Sequence, residues 1–267
     1  MATVEFRNVS FKYPGADCPA IENISFVVNE SEFVVVCGES GSGKTTLLRH
    51  LKRNLAPYGI KSGEILFNGQ EIENIDERIS ASKVGYVRQD LDNQIVTDSV
   101  WHELAFGLES LGFSNAEILR RTAEMAEYFD ISGWIEKNIC ELSGGQKQLL
   151  NLAAVMVMQP EILILDEPTV QLDPVAAVQF IDTLVKINRD LGTTVIISEH
   201  RLEELFPVAD RVLVMEDAKV VVFNTPHSTG EFLTRQGSKQ IVGLPSAMRI
   251  YAGLAPEMEI QASCPVT

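Results

Sequence analysis

The sequence predicts an α/β fold in which a largely parallel core sheet is preceded by β-rich structure and carries a helical lobe. Three observations carry that prediction. Residues 3 to 36 alternate apolar and polar positions, residues 97 to 158 switch to helical spacing, and beyond Pro160 strands alternate with helices. In chain order, Val4, Phe6 and Val9, then Ile24, Phe26 and Val28, then Phe33 and Val35 mark strands, with turn signals at Pro14-Gly15 and Asn29-Glu30. A glycine-rich stretch, a helix from about Lys44 to Leu55, and a strand pair at 63–69 and 84–87 follow. In the helical lobe, Val100, Leu104, Leu108 and Leu111 share a face, as do Ile118, Met125 and Phe129. Strand 162–165, helix 175–191, strand 194–198, a short helix 201–206 and strands 212–215 and 220–223 complete the core.

Composition narrows the function. At 267 residues and 45% hydrophobic, the chain can bury a large core. Lys and Arg total 22 against 37 Asp and Glu, a formal charge of −15, which argues against a protein that holds nucleic acid by neutralising phosphates. Cys18, Cys37, Cys140 and Cys264 form no CxxC pair and no metal-ligand spacing, so reduced thiols in a cytosolic protein are expected. Residues 1 to 6 lack the basic and apolar regions of a signal peptide. The longest apolar run, Leu152 to Met158, is far short of a membrane span, so any membrane role must come through partners.

The chemistry is concentrated in three stretches. Gly38-Glu39-Ser40-Gly41-Ser42-Gly43-Lys44-Thr45 follows the apolar run 33–37 and leads into Thr46-Leu47-Leu48-Arg49, the strand-loop-helix setting of a phosphate-binding loop. Its glycines let the backbone curl so that successive N–H groups point at an anion; Lys44 would reach the β and γ phosphates and the Thr45 hydroxyl would bind Mg²⁺. Leu142-Ser143-Gly144-Gly145-Gln146 opens a second helix, and Ile162 to Leu165 delivers Asp166-Glu167-Pro168 at the carboxyl end of a buried strand, where ligands bind open α/β sheets.

With these residues in this order the chain resembles the nucleotide-binding subunit of an ABC transporter, whose signature is LSGGQ. The resemblance covers about residues 2 to 225. It implies a P-loop NTPase (RecA-like) parallel-sheet core with an antiparallel β subdomain and a helical subdomain at about 90–158, leaving 226–267 as an extension or connector. It further implies ATP and Mg²⁺ as ligands. Gly38 to Thr46 and Ser143 to Gln146 would contact nucleotide, the latter on ATP held by another subunit. Thr45, Gln89 and Asp166 would hold the metal, and Glu167 would be the general base or orient the attacking water. His200 matches the family's switch histidine, and Gln89 the glutamine linking nucleotide state to the helical lobe; with Lys44 and Glu167 they form the implied catalytic set. Tyr13 is placed like the aromatic that stacks on adenine, with Phe11 as the alternative and plain core packing a third reading. Asp173 fits the loop that crosses the dimer seam, or an N-cap, or both. Two departures, Leu149 where Arg is usual and Val170-Gln171, touch the subunit seam rather than the phosphates.

The segment from Arg88 to Glu109, with Asp92-Asn93-Gln94, Val96 and Ala105-Phe106-Gly107-Leu108-Glu109 carrying the pattern, is similar to the ATPases of energy-coupling factor transporters, importers of vitamins and transition-metal ions. In that family it borders the groove for a cytoplasmic helix of the transmembrane subunit. Asp90, Asp92, Asp98 and Glu103 would give the groove its negative sign, a solvated acidic face being the plain alternative. Expected partners are a second ATPase domain (identical, paralogous or fused), a transmembrane coupling subunit and a substrate-binding membrane subunit, with no nucleic acid. The expected location is the cytoplasmic face of the membrane. Segments 246–251 and 264–267 look similar to the connector of two-ATPase polypeptides. The ATPase of another ABC importer, a soluble ABC protein acting on DNA or ribosomes and a non-hydrolysing regulatory cassette are the competing readings.

Overall fold

The computed structural model describes residues 2–90, 94–200 and 202–236. Strand β1 (Ala2–Lys12) pairs antiparallel with β2 (Ile21–Asn29), and β3 (Phe33–Gly38) then leaves for a second sheet. After the glycine-rich loop come α1 (Lys44–Arg49), β4 (Ile60–Phe67), β5 (Gln70–Glu71), α2 (Glu77–Lys83) and β6 (Val84–Val87). Helices α3 (Val100–Ser110), α4 (Asn115–Tyr128) and α5 (Gly144–Met156) form the lobe. The chain finishes with β7 (Ile162–Asp166), α6 (Pro174–Leu191), β8 (Thr194–Ser198), β9 (Arg211–Glu216), β10 (Lys219–Asn224) and α7 (Pro226–Gln236).

One sheet is antiparallel in the order β2-β1-β4-β5; the other has the order β10-β9-β3-β8-β7-β6, parallel except at the β9–β10 hairpin. Strands covered on both faces read as continuous apolar runs, and β7 and β8 are buried at every residue. The pleat divides them between two cores. Phe33, Val35, Leu163, Leu165, Val195 and Ile197 pack against the helices of the lobe and α6, whereas Val34, Val36, Ile162, Ile164 and Ile196 pack against α1 and the antiparallel sheet. Truncating one such side chain, Leu165 for example, would cost about 2–5 kcal/mol through lost transfer energy and the cavity left behind.

The structure corrects several expectations. The helix after the loop ends at Arg49 rather than Leu55, because Leu51 and Lys52 switch to three-residue backbone bonds with Leu48 and Arg49. The buried Lys52 ammonium instead tethers the end of α2 through the Ser80, Ala81 and Val84 carbonyls. The strands at 63–69 and 84–87 are not a pair: β4 joins the antiparallel sheet and β6 the parallel one, separated by α2. Residues 203–208 are turns rather than a helix, consistent with Pro207, which lacks an N–H and disfavours helical geometry at Phe206; Arg201 lies outside the described residues. Beyond Thr225 the chain forms α7, while the segments at 246–251 and 264–267 lie outside the described residues, as does Cys264. Cys18, Cys37 and Cys140 are free thiols, and burial pushes that of Cys37 up to about 12.

Candidate active site

The carboxyl ends of β3, β7 and β8 bring the predicted phosphate and metal groups together. Gly43 opens the loop into α1 at φ +103°, and a Cβ there would lie 2.3 Å from the Ala20 carbonyl. Only glycine fits both demands. Lys44, 4% exposed, folds back on the loop, its Nζ donating to the carbonyls of Gly38 at 2.9 Å and Glu39 at 3.1 Å. Burial lowers its pKa, against the pull of Glu167 and Asp166. Glu39, Ser40 and Gly41 are exposed, and the buried Ser42 Oγ has no hydrogen-bond partner. A buried hydroxyl left unpaired among the described residues, in a glycine-rich loop, fits an oxygen-rich ligand seated here.

Asp166 is held at both oxygens. Thr45 Oγ1 donates to Oδ1 at 3.1 Å, Ser198 Oγ to Oδ1 at 2.9 Å, and Tyr86 OH to Oδ2 at 3.3 Å. One hydroxyl and one carboxylate in contact form a hard oxygen donor set of the kind Mg²⁺ takes when phosphates and waters complete its shell. Gln89 lies near but is turned elsewhere: its Nε2 donates to Glu167 Oε2 at 3.2 Å.

Glu167 is the meeting point of the predicted catalytic set. Its Oε1 lies 2.8 Å from His200 Nε2 and 3.9 Å from Lys44 Nζ, while Oε2 takes the Gln89 bond. Its backbone sits in the left-handed region, φ 49°, and its N–H is held by the Ser198 carbonyl at 3.0 Å. A strained backbone at a carboxylate aimed into a cluster of charged groups is the pattern of a functional position.

Thr46 Oγ1 is 3.1 Å from Tyr13 OH. Phe11 is 1% exposed and packs edge-on to both Tyr13 and His50, which leaves Tyr13 as the ring of the pair that reaches the surface. The signature residues stand apart. Ser143 caps α5, accepting from Gln146 N at 3.3 Å, while Ser143 N donates to Gln146 Oε1 at 2.9 Å, a reciprocal capping box. Gly144 is exposed with open space where a Cβ would be, and Gly145 rests 3.3 Å from the Ala176 Cβ by the same measure. Asp173 caps α6 through Val175 N and Ala176 N, as the N-cap reading predicts. Leu149 packs half-buried against the helical core, which absorbs that departure from the family pattern, and Val170 is exposed.

Glu103 corrects a prediction. It is 6% exposed and turned inward, its Oε2 accepting from Val96 N, Thr97 N and Thr97 Oγ1 at 2.9–3.1 Å, so it shapes the segment instead of charging its surface. Asp98 and Asp90 are exposed, and Asp92 with the start of the Asp92-Asn93-Gln94 motif lies outside the described residues. Sequence reasoning missed Tyr86 and Ser198 as partners of Asp166. Strand neighbours alone reveal them, since Asp166 pairs with Ser198 across β7 and β8. It also missed Gln94 as a brace, accepting from Arg88 N at 2.7 Å and donating to the Tyr86 carbonyl at 2.8 Å beside Gln89.

A family model described as ABC transporter matches residues 21–170, and a putative ABC transporter ATP-binding protein of Bacillus cereus is 45% identical over 226 residues. The chain belongs to the ABC transporter family. That match spans 85% of this chain and 41% of the Bacillus protein, so the chain covers about two fifths of that relative's length. A second putative ABC transporter ATP-binding protein, from Methanosarcina acetivorans, is 36% identical over 84% of this chain and 68% of its own. Among solved structures, cbiO1 from Clostridium perfringens, part of the ABC transporter complex cbiONQ, superposes with a TM-score of 0.77 at 29% identity over 88% of this chain and 94% of its own. The dimeric cassette MJ0796 bound to ADP and Pi shares the fold at TM-score 0.72 and 24% identity, over 84% of this chain and 98% of its own. The fold is therefore the ABC ATPase variant of the P-loop NTPases.

Proposed function

We propose that this chain is the ATP-hydrolysing part of an importer of the energy-coupling factor type, moving a vitamin or transition-metal ion, and that it works by ATP-driven closure of two cassettes. The observation that carries the catalytic reading is the convergence of Lys44, Gln89 and His200 on Glu167, next to the Thr45–Asp166 pair. Lys44 Nζ, now satisfied by loop carbonyls, is the donor available to the β and γ phosphates. Mg²⁺ held at Thr45 and Asp166, with Gln89 as a further ligand, would neutralise charge on the phosphate oxygens. Glu167 orients the attacking water, and His200, poised on the same carboxylate, reads the γ-phosphate. Tyr13 stacks on adenine. Ser143, Gly144, Gly145 and Gln146 close on the ATP of a partner cassette, and Asp173 sits at that seam. Closure follows because ATP binds the closed arrangement better than the open one.

The importer class rests on the similarity of segment 92–109 to energy-coupling factor ATPases and on the likeness to cbiO1. Exposed Val96 and Phe106, on and beside α3, suit an apolar helix of a membrane subunit, with Asp90 and Asp98 supplying negative charge. No helix among the described residues is long and apolar enough to cross a membrane, in keeping with a peripheral position on the cytoplasmic face. Purifying the full-length protein with its membrane partners, identifying the co-purifying solute and measuring phosphate release with magnesium and ATP tests the proposal. A vitamin or metal ion with ATP-driven pairing is the expected result; no pairing and no phosphate release beside native partners overturns it.

A further inference from the structure

Directly after Glu167 the chain is gripped from two sides. Gln148, 1% exposed and on the helix that begins at the signature, donates from Nε2 to the Pro168 carbonyl at 2.7 Å. Its Oε1 is buried without a partner among the described residues, so that bond anchors the amide there. From the other side comes Glu199, also 1% exposed and immediately before His200. Its Oε1 accepts from Thr169 N at 2.8 Å and Thr169 Oγ1 at 2.6 Å, and its Oε2 from His200 N at 3.2 Å. Burying a carboxylate is costly unless donors surround it, and burial does raise the Glu199 pKa against the opposing pull of the Thr169 bonds. Leu172 N continues the chain of contacts to the Thr169 carbonyl at 3.0 Å, next to the Asp173 cap of α6.

We propose that Glu199 and Gln148 are positioning residues that clamp Pro168 and Thr169 between them, so that His200 and the signature end of α5 move as one body. This rests on the head-to-tail pairing proposed above. His200 then serves this chain's own ATP while Ser143 to Gln146 serve the partner's, and the clamp links the two sites within one chain. Neither residue touches nucleotide. Glu199 works through the backbone of His200 and through Thr169, and Gln148 through the backbone of Pro168. A demonstrated coupling, rather than adjacency, is what such a link requires.

The test is steady-state hydrolysis by the full-length protein across ATP concentrations, with ATP binding and thermal melting measured on the same samples. Glu199→Gln and Gln148→Met should each lower kcat by up to about 100-fold, the loss expected when reacting groups are displaced, and bring the Hill coefficient towards one, with ATP affinity unchanged. The double variant should be no worse than the poorer single one, because both break the same link. Thr169→Val removes a single donor and covers the case in which Glu199→Gln does not fold; it should repeat the loss, and Thr169→Ser should restore wild-type behaviour. Unchanged kcat and Hill coefficient in folded variants, additive losses in the double variant, or a wild-type Hill coefficient of one overturns the clamp. Failure of the wild type to pair with ATP is a different result and overturns the dimer reading itself.

Discussion

The glycine-rich loop and the signature, both assigned above to the proposed nucleotide site, are built in opposite ways. Around the loop, side chains interlock: Lys44 on loop carbonyls, Thr45 and Ser198 on Asp166, and His200 and Gln89 on Glu167. At the signature, the side chains of Ser143 and Gln146 each bond the other's backbone N–H, and Gly144 faces open space. The first is preorganised within a single chain. The second is an exposed helix start braced by its own capping box, an end whose partial positive charge suits an anion brought by another molecule.

That contrast can be broken by comparing variants at the two ends. The largest effect is expected from Glu167→Gln, which removes the carboxylate where the loop side converges: turnover should fall by about 10²–10⁴-fold while ATP binding persists. Near-normal phosphate release would take Glu167 out of its role. Ser143→Arg should lower turnover by about 10²–10³-fold, the loss typical of a preorganised donor, without changing ATP affinity of the unpaired protein. Weakened binding to the unpaired protein would mean that the signature serves its own chain's nucleotide. Tyr13→Ala should raise the ATP concentration for half-maximal rate by about 5–150-fold, since base–aromatic stacking is worth about 1–3 kcal/mol; Tyr13→Phe, which loses only the Thr46 bond, should shift it far less. The smallest effect belongs to Glu103→Ala, a change in neither end. Leaving three donors unpaired should cost about 1–3 kcal/mol of stability, seen in thermal melting, with ATP binding intact.

Much of the site was legible because its motifs are local. The loop, the signature and Asp166-Glu167 each lie within a few residues of a strand or helix end whose periodicity is plain, so their placement follows from chain direction. Glu103 was misread for the opposite reason. An acidic residue on a helix looks solvated until the backbone of Val96 and Thr97 folds onto it. The separation of β4 and β6 into different sheets was equally hidden, because alternation marks a strand but not its neighbour.

The sequence by itself determined the local motifs of this protein: a glycine-rich loop between a strand and a helix, a carboxylate pair at a strand end, and a glycine-rich helix start, all of them properties of contiguous residues. Tertiary structure alone decided which groups hold those motifs in place. Ser198 and Tyr86 reach Asp166, and Glu199 reaches Thr169, across strands and loops about 30 to 80 positions apart in the chain. Side-chain bonds of that range depend on sheet order and register, which are set by burial of the whole core rather than by any local pattern.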